Sequence, residues 1–257
     1  LDGFVSASPY PHYHRKQGLK TRLFFGNGYR WQAALLVMAS LLYGQPSLLI
    51  CIPGKQNTIR IQKDFEEAIG TGKAMAFGRI KDLEAAIASS PGAGIIASGP
   101  FVRLLPGYTT VLLGKVGNEK GEKFLIVTAQ KDLTKDVLPE KRIGILDFLG
   151  KDRLVEFVKN EFGISVPVLQ RVNKEEDLLT MLGIEAVDAV ILPESQYKDL
   201  LLDTKLPLRI IATSARNVDL AALALPGHHE MSDVKKAVLR LPAAMLKEIG
   251  LTGWEER

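Results

Sequence analysis

Four short apolar runs, at 48–52, 93–97, 142–146 and 186–192, each stop abruptly at Gly, Pro, Ser or Asp before a polar or helical stretch begins. Unbroken apolar runs of this length read as strands covered on both faces, as in a parallel sheet, rather than as half-solvated strands that alternate. In such sheets ligands sit just beyond the carboxyl ends of the strands. Those ends are Pro53, Gly54, Lys55 and Gln56; Ser98, Gly99 and Pro100; Asp147, Phe148, Leu149 and Gly150; and Pro193, Glu194 and Ser195. None carries a complete catalytic signature, so the pattern points to binding rather than to chemistry.

The 257 residues, 46% hydrophobic and 24% charged, have the composition of a globular protein able to bury a core. The formal charge of +4 is positional. Arg15, Lys16, Lys20, Arg22 and Arg30 stand against Asp2 in the first 45 residues, and the rest holds 28 basic and 28 acidic side chains. No nucleic-acid partner is expected, because that footprint needs basic residues clustered on the folded surface. The early basic residues precede an apolar run at 33–42, the length of a signal-peptide core and short of the ~20 residues that span a bilayer. Residues 1–45 therefore read as a leader, with cleavage after Gly44, a periplasmic or otherwise exported product and no stable membrane span in the mature chain. The competing reading makes 31–43 a helix of the folded domain. The lone Cys51 excludes an intrachain disulfide and reads as a small buried residue of the first strand.

Beyond Gln45 the order is regular. Strands are expected at 47–52, 73–77 and 93–97, with helices at 57–69, where Ile59, Phe65, Ala68 and Ile69 share a side, and at 81–88. Two β-rich runs, 109–113 and 123–129, flank a Gly-rich charged stretch that reads as a hairpin or as an excursion between sheets. The alternation then restarts, with strands at 142–146, 167–172, 187–192, 208–213 and 220–225 and helices at 151–162, 174–182 and 196–202. A terminal helix, 232–249, is bent or broken by Pro242.

The candidate ligand-binding residues follow from the strand ends. Gly54 permits close backbone approach, Lys55 and Gln56 offer polar contacts, and Asn57 either caps the following helix or bonds a ligand. Ser98 and the Gly99 N–H are placed to face a cleft with Phe101 beneath. Asp147 and Phe148 hold the equivalent place in the second half, where Asp147 caps a helix or meets a ligand amine or hydroxyl. Glu194 and Ser195, with Tyr197 beside them, end the 187–192 strand. His228 and His229, adjacent on a loop, are too few to make a metal site with Cys51 distant, and no metal, cofactor or catalytic residue is expected.

The residues 82–87 leading into Ala93, Gly94, Ile95, Ile96, Ala97, Ser98, Gly99, Pro100 and Phe101, then 124–128, 141–147, 187–190 and the tail 235–239 with 246–254, are similar to the phosphonate-binding-protein-like group of type II periplasmic solute-binding proteins. The resemblance implies an α/β fold of two lobes, each a mainly parallel sheet flanked by helices. It implies a discontinuous lobe 1 of 46–125 and 207–257, a lobe 2 of 126–206, and closure about a hinge. It further implies a substrate-binding role in an ABC importer, with a permease as partner and a small polar ligand of the phosphonate or phosphate kind. One departure stands out: the turn at 147–151 has no Ser or Thr, which leaves an anion the helix's free backbone N–H groups and Lys151, with Asp147 repelling it. An enzyme on the same fold, of the ATP phosphoribosyltransferase or porphobilinogen deaminase kind, and a sensory module without transport are the alternatives.

Overall fold

Strands covered on both faces need a layer of helices above and below, and the chain builds this twice. The computed structural model describes residues 47–54, 57–70, 73–166, 168–227 and 232–257. These fall within one compact unit, Gly44–Arg257. In chain order come β1 (Leu48–Cys51), α1 (Thr58–Ile69), β2 (Ala74–Phe77), α2 (Ile80–Ser89), β3 (Gly94–Ala97), α3 (Gly99–Arg103), β4 (Tyr108–Lys115) and β5 (Phe124–Thr128). After a 3-10 turn at Lys135–Glu140 follow β6 (Arg142–Leu146), α4 (Lys151–Phe162), β7 (Val168–Val172), α5 (Glu175–Gly183), β8 (Ala189–Pro193), α6 (Glu194–Asp203) and β9 (Arg209–Thr213). The chain ends with β10 (Ala222–Pro226), α7 (Ser232–Leu239), α8 (Ala243–Glu248) and β11 (Gly253–Glu256).

One sheet has the order β11-β4-β10-β3-β1-β2 and the other β7-β6-β8-β5-β9. Only the trios β2-β1-β3 and β7-β6-β8 are parallel; β10, β4 and β11, and likewise β5 and β9, pair antiparallel. The sheets are therefore mixed rather than mainly parallel. The parallel trios are the βαβ units legible in the sequence; of the antiparallel strands, β4 and β9 lead into the crossings between sheets, β5 and β10 leave them, and β11 follows the last helix. The run at 109–113 and that at 123–129 belong to different sheets, so the intervening stretch is the excursion and not a hairpin. Strand β9, placed by the sequence reading in lobe 1, pairs instead with β5 of the second sheet.

Burial on β1 alternates between the two sides as strand geometry requires. Leu49 and Cys51 pack with Ile80, Leu83 and Phe101, and Leu48 and Ile50 with Ile61, Phe65 and Val238. Helix α1 begins where the Asn57 side chain accepts the Arg60 N–H at 3.0 Å. Helix α4 stops at Gly163, whose φ of 69° is the left-handed conformation glycine tolerates. Pro242 does break the terminal helix, directly ahead of α8. Ile59, grouped by the sequence with the buried side of α1, is 83% exposed; Ile61 and Phe65 are the buried pair.

Two outcomes follow from this core. Burial, aided by Asp147 and Asp82, pushes the Cys51 thiol up to about 12, so iodoacetamide is expected to label it only after denaturation, as mass spectrometry of native and unfolded protein will show. Leu223→Ala, on the fully buried centre of β10, is expected to cost about 2–5 kcal/mol in urea unfolding.

Candidate functional site

The carboxyl ends of the parallel strands of both sheets meet. After β3, the buried Ser98 hydroxyl donates to the Phe148 carbonyl beyond β6 at 2.9 Å. Beyond β1, Gly54 forms a backbone bridge with Lys174, at the end of β7, and a Cβ on Gly54 would lie 2.6 Å from the Glu175 side chain. From α4, Arg153 pairs with Glu84 of α2 at 2.5 Å and lies 5.5 Å over the Phe101 ring of α3. Each of these contacts joins the first sheet's layer to the second's.

Beside the Ser98 contact lies a cavity of ≈ 350 Å³. Its apolar wall includes Ile52, Phe124, Phe148, Ile191 and Leu220. Phe124, Phe148 and Phe157 stack with ring centroids 5.1–5.5 Å apart and hold that wall in place. Its polar lining comes from Ser195, Gln196 and Asp199 of α6, Glu122 and Asp219 of the two crossings, Glu175 of α5 and Lys247 of α8. A groove of ≈ 400 Å³ between α3 and α4 is bounded by Phe157 and other helix side chains together with Leu149 and with Arg216, Asn217 and Val218 of the second crossing.

The two crossings, at 116–123 and 214–221, run side by side. The Glu122 and Val218 backbones exchange two hydrogen bonds, of 3.1 and 2.9 Å. Lys123 donates to the Ser214 and Ala215 carbonyls, and the Ser214 hydroxyl accepts the Phe124 N–H. Gly121 lies so close to the Val218 backbone that a Cβ would collide with it. The Glu122 carboxylate then reaches the start of α6, accepting both the N–H of Ser195 and its hydroxyl, the latter at 2.7 Å. Burial pushes this carboxyl above the usual range, against the pull of the two Ser195 bonds.

No family model matches the chain, and no curated protein matches it in sequence. Solved structures do match. A Prochlorococcus marinus protein in complex with methylphosphonate superposes with a TM-score of 0.62 at 11% identity, over 83% of this chain and 93% of that one. A Xanthomonas citri protein bound to ATP gives 0.62 at 10%, over 82% and 91%. The binding-protein component of a Pseudomonas aeruginosa ABC phosphonate transporter gives 0.61 at 13%, over 83% and 82%. The chain has the two-lobed type II periplasmic-binding-protein fold. At these identities the likeness is one of architecture.

Within the periplasmic-binding-protein fold the residues expected from the sequence take different parts. Ser98, Phe148 and Ser195 line the cavity. Gly54 is at its edge, against Glu175; Lys55 and Gln56 lie outside the described residues, as do His228 and His229. Asn57 is a helix cap. Gly99 does not present its N–H to the cleft: it donates to the Asp219 carbonyl at 3.1 Å, with Asp219 packed where a Cβ would be. Asp147 turns to its own loop, accepting the Gly150 N–H at 2.7 Å and pairing with Arg171 at 2.6 Å. Glu194 pairs with Lys198 one turn along α6. Sequence reasoning missed Glu122, Gln196 and Asp219. The only local sign was Gly121-Glu122 at a crossing, and the Ser195 that Glu122 meets is 73 residues away.

Gly121→Ala is expected to destabilise the fold by about 1–3 kcal/mol through overpacking at the crossing, read by urea unfolding. For Glu122, the folded protein holds a proton that the unfolded chain releases, so its contribution to stability falls as pH rises from the ordinary 4.5 through the raised value. Glu122→Gln is expected to flatten the melting temperature across that window; an unchanged profile rejects the assignment.

Proposed function

We propose that this chain is the solute-binding component of an ABC-type importer, a binding protein rather than an enzyme. The observation that carries the reading is the cavity at the meeting strand ends, walled by both sheets and backed by two adjacent chain crossings about which the lobes hinge. In this reading the lobes turn about 116–123 and 214–221, and a ligand touching both favours the closed arrangement by its greater affinity for it. The protein is exported with residues 1–45 as its leader, which lie outside the described residues, and delivers its solute to a membrane permease. Among the described residues no helix is long and apolar enough to cross a membrane. The Pseudomonas aeruginosa neighbour, a binding-protein component of an ABC transporter, supports the transport role, and the Prochlorococcus marinus neighbour, in complex with methylphosphonate, supports binding of a small solute.

A thermal-shift screen of phosphonates, phosphate, sulfonates, amino acids, amines and thiamine-like compounds tests this. A true ligand at 100 times its Kd is expected to add about 2.7 kcal/mol of stability and to shrink the radius of gyration in solution scattering. Silence across every class, with unchanged scattering, rejects a solute-binding role.

A further inference from the structure

We propose that the cavity selects a cation, a small amine on an apolar body, held by Glu122 and Gln196; this rests on the solute-binding reading above. An anion in a fold of this type needs unsatisfied backbone N–H groups at a helix start, or a cation beside them. Here the chain answers the start of α6 at the cleft with a carboxylate of its own and sets a second carboxylate ahead of α4. Glu122 takes the Ser195 N–H and hydroxyl at the first turn of α6, and Asp147 takes the Gly150 N–H ahead of α4 while occupying Arg171.

The lining has the same sign. Among the described residues four carboxylates, Glu122, Glu175, Asp199 and Asp219, line the cavity with one ammonium, that of Lys247; Asp219 is paired with Arg103, and Glu175 is engaged as well. A phosphate or phosphonate placed there meets like charge in a partly desolvated space, which disfavours it strongly. An ammonium meets acceptors. A carboxylate has about four lone-pair sites, and Ser195 occupies two on Glu122. The neighbouring Gln196 Oε1 is buried without a donor among the described residues, a state that costs stability until a donor arrives. Phe124, Phe148, Ile191 and Leu220 supply the surface for an apolar body. The class is thus a donor-bearing cation with a hydrocarbon or aromatic part, unlike the methylphosphonate of the structural neighbour.

Three probes sharing one body separate the possibilities: phenethylamine, 3-phenylpropionate and 2-phenylethylphosphonate, titrated calorimetrically into the full chain. The amine is expected to bind at least about tenfold more tightly than either anion, a difference of about 1.4 kcal/mol. Glu122→Gln is expected to weaken the amine by about tenfold or more and leave the anions unchanged or tighter. Gln196→Leu, which keeps the Glu122 cap, is expected to weaken the amine as well. An anion binding as tightly as the amine, or amine affinity unmoved by both variants, overturns the cation assignment and leaves the solute-binding role standing. Silence from these probes and from the whole screen of compound classes overturns both.

Discussion

The two chain crossings, joined where Glu122 and Val218 exchange backbone hydrogen bonds, are the constraint on which the rest of the structure depends. The first sheet cannot be completed locally: β10, its strand between β3 and β4, arrives only after the whole second sheet has been laid down. The chain must therefore leave and return, and the two passages end side by side. Gly121 admits the close approach of the Val218 backbone, and the Lys123 and Ser214 bonds close the space around it. The cavity opens directly beside this junction, with Glu122, Val218 and Asp219 in its lining.

That junction also sets the charge of the cavity. Because Glu122 sits on a crossing, its carboxylate reaches the start of α6 and satisfies donors that would otherwise turn toward a bound anion. Ahead of α4, Asp147 accepts both the Gly150 N–H and the Arg171 guanidinium. Burial of Glu122 raises its carboxyl, and a cation beside it would favour the ionised form against that burial. The transport reading and the ligand class thus have different supports: the first lies in strand topology, the second in which side chains fill the helix starts.

Contacts between the two layers are of unequal kinds. The Ser98 bond to the Phe148 carbonyl is buried, whereas Arg153 to Glu84 joins half-exposed side chains and so adds little net stability in water. Phe124, Phe148 and Phe157 pack tilted or edge to face. Phe124 and Phe148 line the strand-end cavity and Phe157 the groove between α3 and α4.

Much of the architecture was legible in local patterns. The apolar runs at 48–52, 93–97 and 142–146 became buried strands because a strand covered on both faces has no polar side to show. Asn57 capped α1, Gly163 ended α4 and Pro242 broke the last helix, each through geometry confined to a turn. Ile59 misled, since its apolar side chain on the exposed side of α1 is set by where the sheet lies and not by its neighbours in sequence. The sheet assignment of β9, the existence of β11, the burial of the Gly99 N–H against Asp219 and the bond of Glu122 to Ser195 were decided only in three dimensions. Local propensity and apolar periodicity act over a few residues and determine the elements; the pairing of strand edges joins residues 26 to 144 positions apart and the bond of Glu122 to Ser195 spans 73, and only the packed chain brings them within reach.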